Sequence, residues 1–184
     1  ALTSGSDEVV LVTHDGMSIR FSESDMRAQG RNTIGVRGIK LREGDYVVAL
    51  AVVQQDANLL VVSENGLGKR TPFDEYRPQS RGGIGIKTMN CTDKTGRVVS
   101  ATTVTDADEL MIMTTGGQSV RMKVDTIRET GRATQGVKLI TLDGKESIQE
   151  ITLVIPDDDE DEEEATETPE GDSAPADEVE APQE

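Results

Sequence analysis

LLVVSENGLGKRT, residues 59–71, sets an apolar run, an Asn65-Gly66 pair and a second strand-like run within one short stretch. Two other stretches share the plan. VVLVTHDGMSIRF (9–21) turns at Asp15-Gly16, and LMIMTTGGQSVRM (110–122) turns at Gly116-Gly117. Such pairs tolerate positive φ and close tight β-hairpins, because a mirror-image turn matches the twist of the flanking strands. The register continues downstream. Arg20, Arg70 and Arg121 are equivalent, as are Arg27, Arg77 and Arg128, then Arg31, Arg81 and Arg132, then Gly35, Gly85 and Gly136. Every series steps by 50 and then 51 residues. Four series in one register establish a threefold repeat.

The second half of each unit reads as two more strands. GVRGIKL (35–41) leads through Glu43-Gly44-Asp45 to YVVALAVV (46–53). GIKTMNC (85–91) leads through Lys94-Thr95-Gly96 to RVVSATTV (97–104), and GVKLITL (136–142) through Asp143-Gly144 to SIQEITLV (147–154). Four strands per ~50 residues is the period of a propeller blade. Helical signal is confined to single turns linking the hairpins, at SESDMRAQ (22–29) and VDTIRET (124–130). The expected fold is all-β: a partial β-propeller or β-pinwheel of three four-stranded blades, at 9–56, 57–106 and 107–155. Residues 1–8 read as a linker from a preceding blade, and the chain opens on Ala1 rather than Met, as an excised fragment would. Propellers close with typically about 4–8 blades, so three blades form either the last part of a larger ring or an open arc.

The formal net charge of −16 averages two unlike parts. No Lys or Arg follows Lys145, and residues 156–184 hold 15 of the 35 acids, which leaves 20 acids against all 19 bases in the body. The body is near neutral. The segment 156–184, rich in Asp, Glu, Pro, Ala and Thr, has too little apolar surface to offset its ordering entropy and is expected to be a disordered acidic tail. Cys91 is the sole cysteine, which excludes an intramolecular disulfide and argues against a zinc cluster or any metal site. His14, the sole histidine, sits beside the Asp15-Gly16 turn with no evident partner for catalysis. No run approaches 18 apolar residues and no signal-peptide pattern opens the chain, so no membrane partner is expected.

QSRGGIGIK (79–87) has the look of a phosphate-cradling loop, and the repeat removes that reading. It matches neither G-x-x-x-x-G-K-[ST] nor G-x-G-x-x-G followed by a helix. The sites equivalent to 81–87 read RNTIGVR (31–37) and RATQGVK (132–138), so only Gly85 has a glycine in every copy. That glycine marks the start of the third strand, where positive φ or close backbone approach is needed. Its flanks carry charge in every copy: Arg31/Arg37, Arg81/Lys87 and Arg132/Lys138. Cations recurring once per blade suit a ligand with repeating negative charge, and duplex DNA is the obvious one. Aromatic residues make up 2% of the chain with no Trp, which argues against stacking of single strands.

GRNTIGVRGIKL, ENGLGKRTPFDEY, QSRGGIGIK and GRATQGVKL resemble the blades of the C-terminal domain of the DNA gyrase A subunit, over residues ~8–154. The resemblance implies a non-catalytic module, the last three blades of a six-bladed pinwheel in which neighbours exchange strands and duplex DNA wraps on a basic outer rim. The implied DNA-binding residues are Arg20, Arg31, Arg37, Lys40, Arg70, Arg77, Arg81, Lys87, Arg121, Arg128, Arg132 and Lys138. The family's signature Q-R-R-G-G-K-G has a degenerate counterpart in Gln79, Ser80, Arg81, Gly82, Gly83, Ile84 and Gly85, with Ser80 and Ile84 in place of two cations. No catalytic residue is implied, and neither Tyr46 nor Tyr76 is expected to be a nucleophile. No cofactor is expected in this part, since ATP and Mg would act elsewhere in the parent enzyme. The implied partners are double-stranded DNA, the rest of gyrase A and, through it, gyrase B, in a bacterial cytoplasm at the nucleoid. The acidic tail either solubilises the chain or folds back on the basic rim. Two alternatives stay open: the C-terminal domain of topoisomerase IV, and a protein-binding propeller whose cations are merely solvated.

Overall fold

The computed structural model describes residues 1–154; the tail expected at 156–184, and Ile155, lie outside the described residues. Eleven strands appear in order: β1 (Glu8–Thr13), β2 (Met17–Ser22), β3 (Val47–Val52), β4 (Asn58–Ser63), β5 (Leu67–Pro72) and β6 (Ile86–Lys87). Then come β7 (Val98–Val104), β8 (Glu109–Thr114), β9 (Ser119–Lys123), β10 (Val137–Lys138) and β11 (Ile148–Val154). The only helical pieces among the described residues are 3-10 turns at Glu23–Asp25, Phe73–Glu75 and Val124–Thr126, each following the second strand of its repeat. The described residues are all-β, as their periodicity indicates.

The hairpins form where expected, with a different turn. Gly16, Gly66 and Gly117 have φ of 79°, 81° and 84°, whereas Asp15, Asn65 and Gly116 do not enter the positive-φ region. Each glycine N–H donates to the carbonyl three residues back, on Thr13, Ser63 or Thr114. A mirror-image turn needs positive φ at both central residues, so this is instead the three-residue connection that ends on a left-handed glycine.

Strand pairing crosses the repeats. The sheet orders are β3-β1-β2-β6, β10-β5-β4-β7 and β11-β8-β9. The outermost strand of the first sheet therefore comes from the second repeat, and that of the second sheet comes from the third. β6 pairs with β2 at Met17↔Lys87 and Ser18↔Ile86, and β10 with β5 at Val137↔Gly68 and Lys138↔Leu67. These donated strands are two residues long, not the seven that the sequence suggests, and residues 35–41 form no strand. Their partner would be the second strand of a repeat before the first. The third sheet, which has no following repeat to borrow from among the described residues, has three strands.

Gly85 and Gly136 make the exchange possible. Their φ values are 77° and 80°. A Cβ on Gly85 would lie 2.2 Å from the Ser18 carbonyl oxygen, and one on Gly136 would lie 2.6 Å from that of Gly68. Both requirements of the sequence reading, positive φ and close approach, apply at once.

The core lies between successive sheets. Val10, Val12 and Ala51 of the first repeat pack with Leu59, Val61, Phe73, Tyr76 and Met89 of the second. Leu60, Val62 and Val104 pack in turn with Leu110, Ile112, Val124, Ile127 and Ile151 of the third. Period-2 alternation thus serves two junctions from one strand: Leu59 and Val61 face back, Leu60 and Val62 face forward. Burial of each such side chain is worth about 1.5–3 kcal/mol, so the repeats stabilise one another rather than folding singly. The two ends differ. Val47 and Leu50 are 41% and 47% exposed, whereas their equivalents Val98, Ala101, Ile148 and Ile151 are all buried. At the other end Val48 and Val99 are followed by Gln149, and Ala51 by Thr102 and Thr152, while Met111 and Met113 keep the apolar forward-facing positions of Leu60 and Val62.

Candidate nucleic-acid interface

The repeated arginines divide into two groups once burial is known. Arg20 donates through Nε to Glu8 and through Nη1 to the carbonyls of Phe73 (2.8 Å) and Tyr76 (3.2 Å) in the next repeat. Arg70, 7% exposed, repeats the pattern with Nε to Ile127 (2.6 Å) and Nη2 to Asp125, while Nη1 pairs with Asp106. Asn58 stands at the Glu8 position of this repeat, so Arg70 takes its carboxylate from beyond β7 instead. Arg121 pairs with Glu109 through Nε. Arg20 and Arg70 were expected on a DNA-binding rim; the structure makes them staples that hold the following repeat's 3-10 turn. Their donors satisfy buried carbonyls, which a phosphate could reach only by breaking them.

The second group is exposed. Arg31, Arg37, Lys40, Arg77, Lys87, Arg128 and Lys138 are exposed, and Arg81 and Arg132 are half-exposed. Arg27, first of the series that includes Arg77 and Arg128, is exposed too and was missing from the expected set. Lys87 and Lys138 ride on the donated outermost strands, at the edge of the preceding repeat's sheet. Arg81 donates from Nε to the Asp25 carbonyl (3.1 Å) and from Nη1 to the Arg37 carbonyl (3.2 Å). Arg132 does the same one repeat later, to Glu75 (3.1 Å) and Lys87 (2.7 Å). The sequence pairs these cations within a repeat, Arg81 with Lys87; the structure seats each arginine across the junction, Arg81 against Arg37 and Arg132 against Lys87. Two equivalent stations result, each with its Nη2 uncommitted among the described residues. Arg31 makes no such bond among the described residues, which hold no repeat ahead of the first.

The box-like stretch is a loop on this edge. Gln79 N–H donates to the Arg20 carbonyl (2.8 Å), and Gly82 and Gly83 bond the backbone of Gly38 and Lys40. Ser80 and Ile84 are exposed, so neither apolar nor hydroxyl substitution at those sites is forced by packing. The Gln79 Nε2 is buried without a hydrogen-bond partner among the described residues.

One buried cation escaped the sequence reading. Lys69 has no exposed surface, and its Nζ donates to the carbonyls of Gly131 (2.8 Å) and Arg132 and to Thr134 Oγ1 (3.3 Å). Burial, reinforced by the neighbouring Arg132 charge, lowers its pKa to about 8. Ile19 and Val120 occupy the equivalent sites, so no repeated pattern could have flagged it.

Tyr76 is buried with its hydroxyl 2.7 Å from Thr88 Oγ1, and burial pushes its pKa up. Tyr46 stacks on His14 at 4.5 Å, and His14 Nε2 lies 3.6 Å from Glu64. Cys91 is half-buried, with its thiol pKa raised chiefly by burial. Among the described residues no group of three His, Cys, Asp or Glu could hold a metal, and no helix is long and apolar enough to cross a membrane.

A family profile described as DNA gyrase C-terminal domain, beta-propeller, matches residues 7–54, 57–105 and 108–154. The DNA gyrase A subunit of Staphylococcus aureus (strain MRSA252) is 46% identical over 169 residues, 91% of this chain and 19% of that protein. The chain thus spans about a fifth of the length of that relative. A solved structure of the DNA gyrase A C-terminal domain superposes with a TM-score of 0.78 at 30% identity, covering 83% of this chain and 52% of the other. The C-terminal domain of DNA topoisomerase IV superposes at 0.79 with 26% identity, covering 84% and 48%.

Proposed function

The chain belongs to the DNA gyrase C-terminal domain family of β-propellers, and from that premise we propose that it binds duplex DNA along the donated edge strands and bends it, as the wrapping part of gyrase A. The observation that carries this reading is the pair of equivalent stations, Arg37 with Arg81 and Lys87 with Arg132, repeated on the outer edges of successive sheets. Bending a 20–30 bp segment by 40–90° costs about 1–6 kcal/mol, which one cationic patch does not offset and a regular array does. Contacts of this kind position the duplex without reading its sequence.

The domain supplies no chemistry of its own in this reading. Cleavage and ATP hydrolysis, with any magnesium they need, fall to the rest of gyrase A and to gyrase B in a bacterial cytoplasm. The exposed Val47 and Leu50 suit a preceding blade of the same build. Identity favours gyrase over topoisomerase IV as the parent enzyme. The acidic stretch after Pro156 competes with phosphate for the basic edge, so deleting 156–184 tightens duplex binding at low salt.

The test is duplex affinity across salt concentrations. Log affinity should fall linearly with log salt, by about 0.9 for each phosphate neutralised. Charge reversal at Arg37, Lys87 and Lys138 together should flatten that slope and leave the fold intact. Salt-independent binding, or none, would instead favour a protein-binding propeller.

A further inference from the structure

Equivalent junctions in this chain hold their edge loops by opposite means. In the second repeat the loop Ser80–Gly83 lies over Ile19, and a Cβ on Gly83 would sit 3.6 Å from the Ile19 Cδ1. In the third repeat Thr134 replaces Gly83 and lies over Lys69, which replaces Ile19. The pair has changed together, from isoleucine under glycine to ammonium under hydroxyl.

The second arrangement is the more exacting. An ammonium has three donors, and Lys69 meets three acceptors: the carbonyls of Gly131 and Arg132 and the hydroxyl of Thr134. With no exposed surface on the lysine, any shift of the loop strands a buried charge, which costs far more than losing an exposed bond. The loop is braced further by Thr71 Oγ1 to the Thr130 carbonyl (3.0 Å) and by Asn90 N–H to the Thr134 carbonyl (3.0 Å). The charged groups acting on Lys69 are Arg132, which the loop itself carries, and Glu75 of the preceding turn. Arg132 then reaches the other way, to the carbonyls of Glu75 and Lys87. The loop is gripped from beneath by one cation and presents another.

We propose that Lys69 is a positioning residue for duplex binding: it touches no phosphate, and it fixes the Gly131–Thr134 loop so that Arg132 stands at its station beside Lys87. The proposal rests on the duplex-binding reading above. Isoleucine at 69 alone deprives the Thr134 hydroxyl of its donor and sets the threonine side chain against the isoleucine, whereas isoleucine with glycine at 134 restores the fit of the first junction, where Gly83 lies over Ile19 with no ammonium beneath the loop.

The experiment compares Lys69→Ile, the double variant Lys69→Ile/Thr134→Gly and Lys138→Gln in the 184-residue chain. Fluorescence anisotropy with a labelled 40-bp duplex across salt gives affinity and slope, and hydrogen exchange reports the amides of 131–134. Lys69→Ile should weaken binding about tenfold, the equivalent of one lost charge-assisted hydrogen bond, and speed exchange in the loop. The double variant, which lacks the same cation, should recover to within about threefold of the native chain and slow exchange again. If both variants weaken equally and flatten the salt slope by about one, as Lys138→Gln should, Lys69 acts as a phosphate contact and the proposal fails. Native affinity and exchange in Lys69→Ile would also overturn it. Should the native chain bind no duplex, the reading of function fails on its own, and loop exchange still decides whether Lys69 fixes the loop. If Lys69→Ile does not fold, Thr134→Gly alone removes one acceptor and should give a smaller loss of the same kind.

Discussion

Alanine at the three equivalent glycines separates backbone strain from strand exchange. Gly35, Gly85 and Gly136 share φ of 85°, 77° and 80°, so alanine at any of them incurs the left-handed penalty of about 1–2 kcal/mol. Their surroundings differ. A Cβ on Gly35 meets nothing within 4 Å, whereas on Gly85 it lies 2.2 Å from the Ser18 oxygen and on Gly136 2.6 Å from the Gly68 oxygen. Those neighbours are backbone, so relief requires the donated strand to withdraw. Withdrawal surrenders the pairs Met17↔Lys87 and Ser18↔Ile86, or Val137↔Gly68 and Lys138↔Leu67, at about 1 kcal/mol per ladder bond. The expected losses are therefore about 1–2 kcal/mol for Gly35→Ala and about 3–4 kcal/mol for Gly85→Ala and Gly136→Ala. Urea unfolding followed by far-UV circular dichroism, with linear extrapolation, measures all three on one scale. Equal losses within about 0.5 kcal/mol would refute the view that β6 and β10 bind the preceding repeat through close backbone approach.

The two groups of arginine and lysine should respond differently to neutralisation. Arg70→Met removes a buried staple and should cost about 3 kcal/mol in unfolding, with the salt slope of duplex binding unchanged, whereas Lys138→Gln should leave stability within about 0.5 kcal/mol and lower the slope by about one. Lys69 gives a pH signature. Unfolded, it holds its proton to about pH 10.5, and folded, it releases it near 8, so between those values the unfolded chain binds more protons and stability rises with pH. Comparison with Lys69→Met isolates that rise; identical pH profiles would show that the lysine is not buried as described. The Cys91 thiol, raised by burial, should react with iodoacetamide at pH 7.5 at least about tenfold more slowly than in the urea-unfolded chain, and equal rates would place it at the surface.

The repeat, its hairpins and its all-β class were legible because each rests on local signals. A turn glycine, an alternating run and a fixed spacing of 50 or 51 residues all lie within one stretch of chain. Gly85 could be read as a strand opening for the same reason. The stations could not be read this way. That Arg81 meets Arg37 rather than Lys87 depends on strand exchange, and the resemblance, not the periodicity, raised that exchange.

By itself, the sequence determined the number of repeats, the strand order within each hairpin, and that cations recur at fixed places. Tertiary structure alone decided what each cation does. Arg20, Arg31 and Arg37 look alike in a linear pattern, yet the first is sealed against Glu8 and the carbonyls of Phe73 and Tyr76, and the other two are exposed. The physical reason is that charge is a local property and burial is not. A guanidinium becomes a staple or a phosphate contact according to which distant carbonyls the packing of neighbouring sheets brings within reach of its donors.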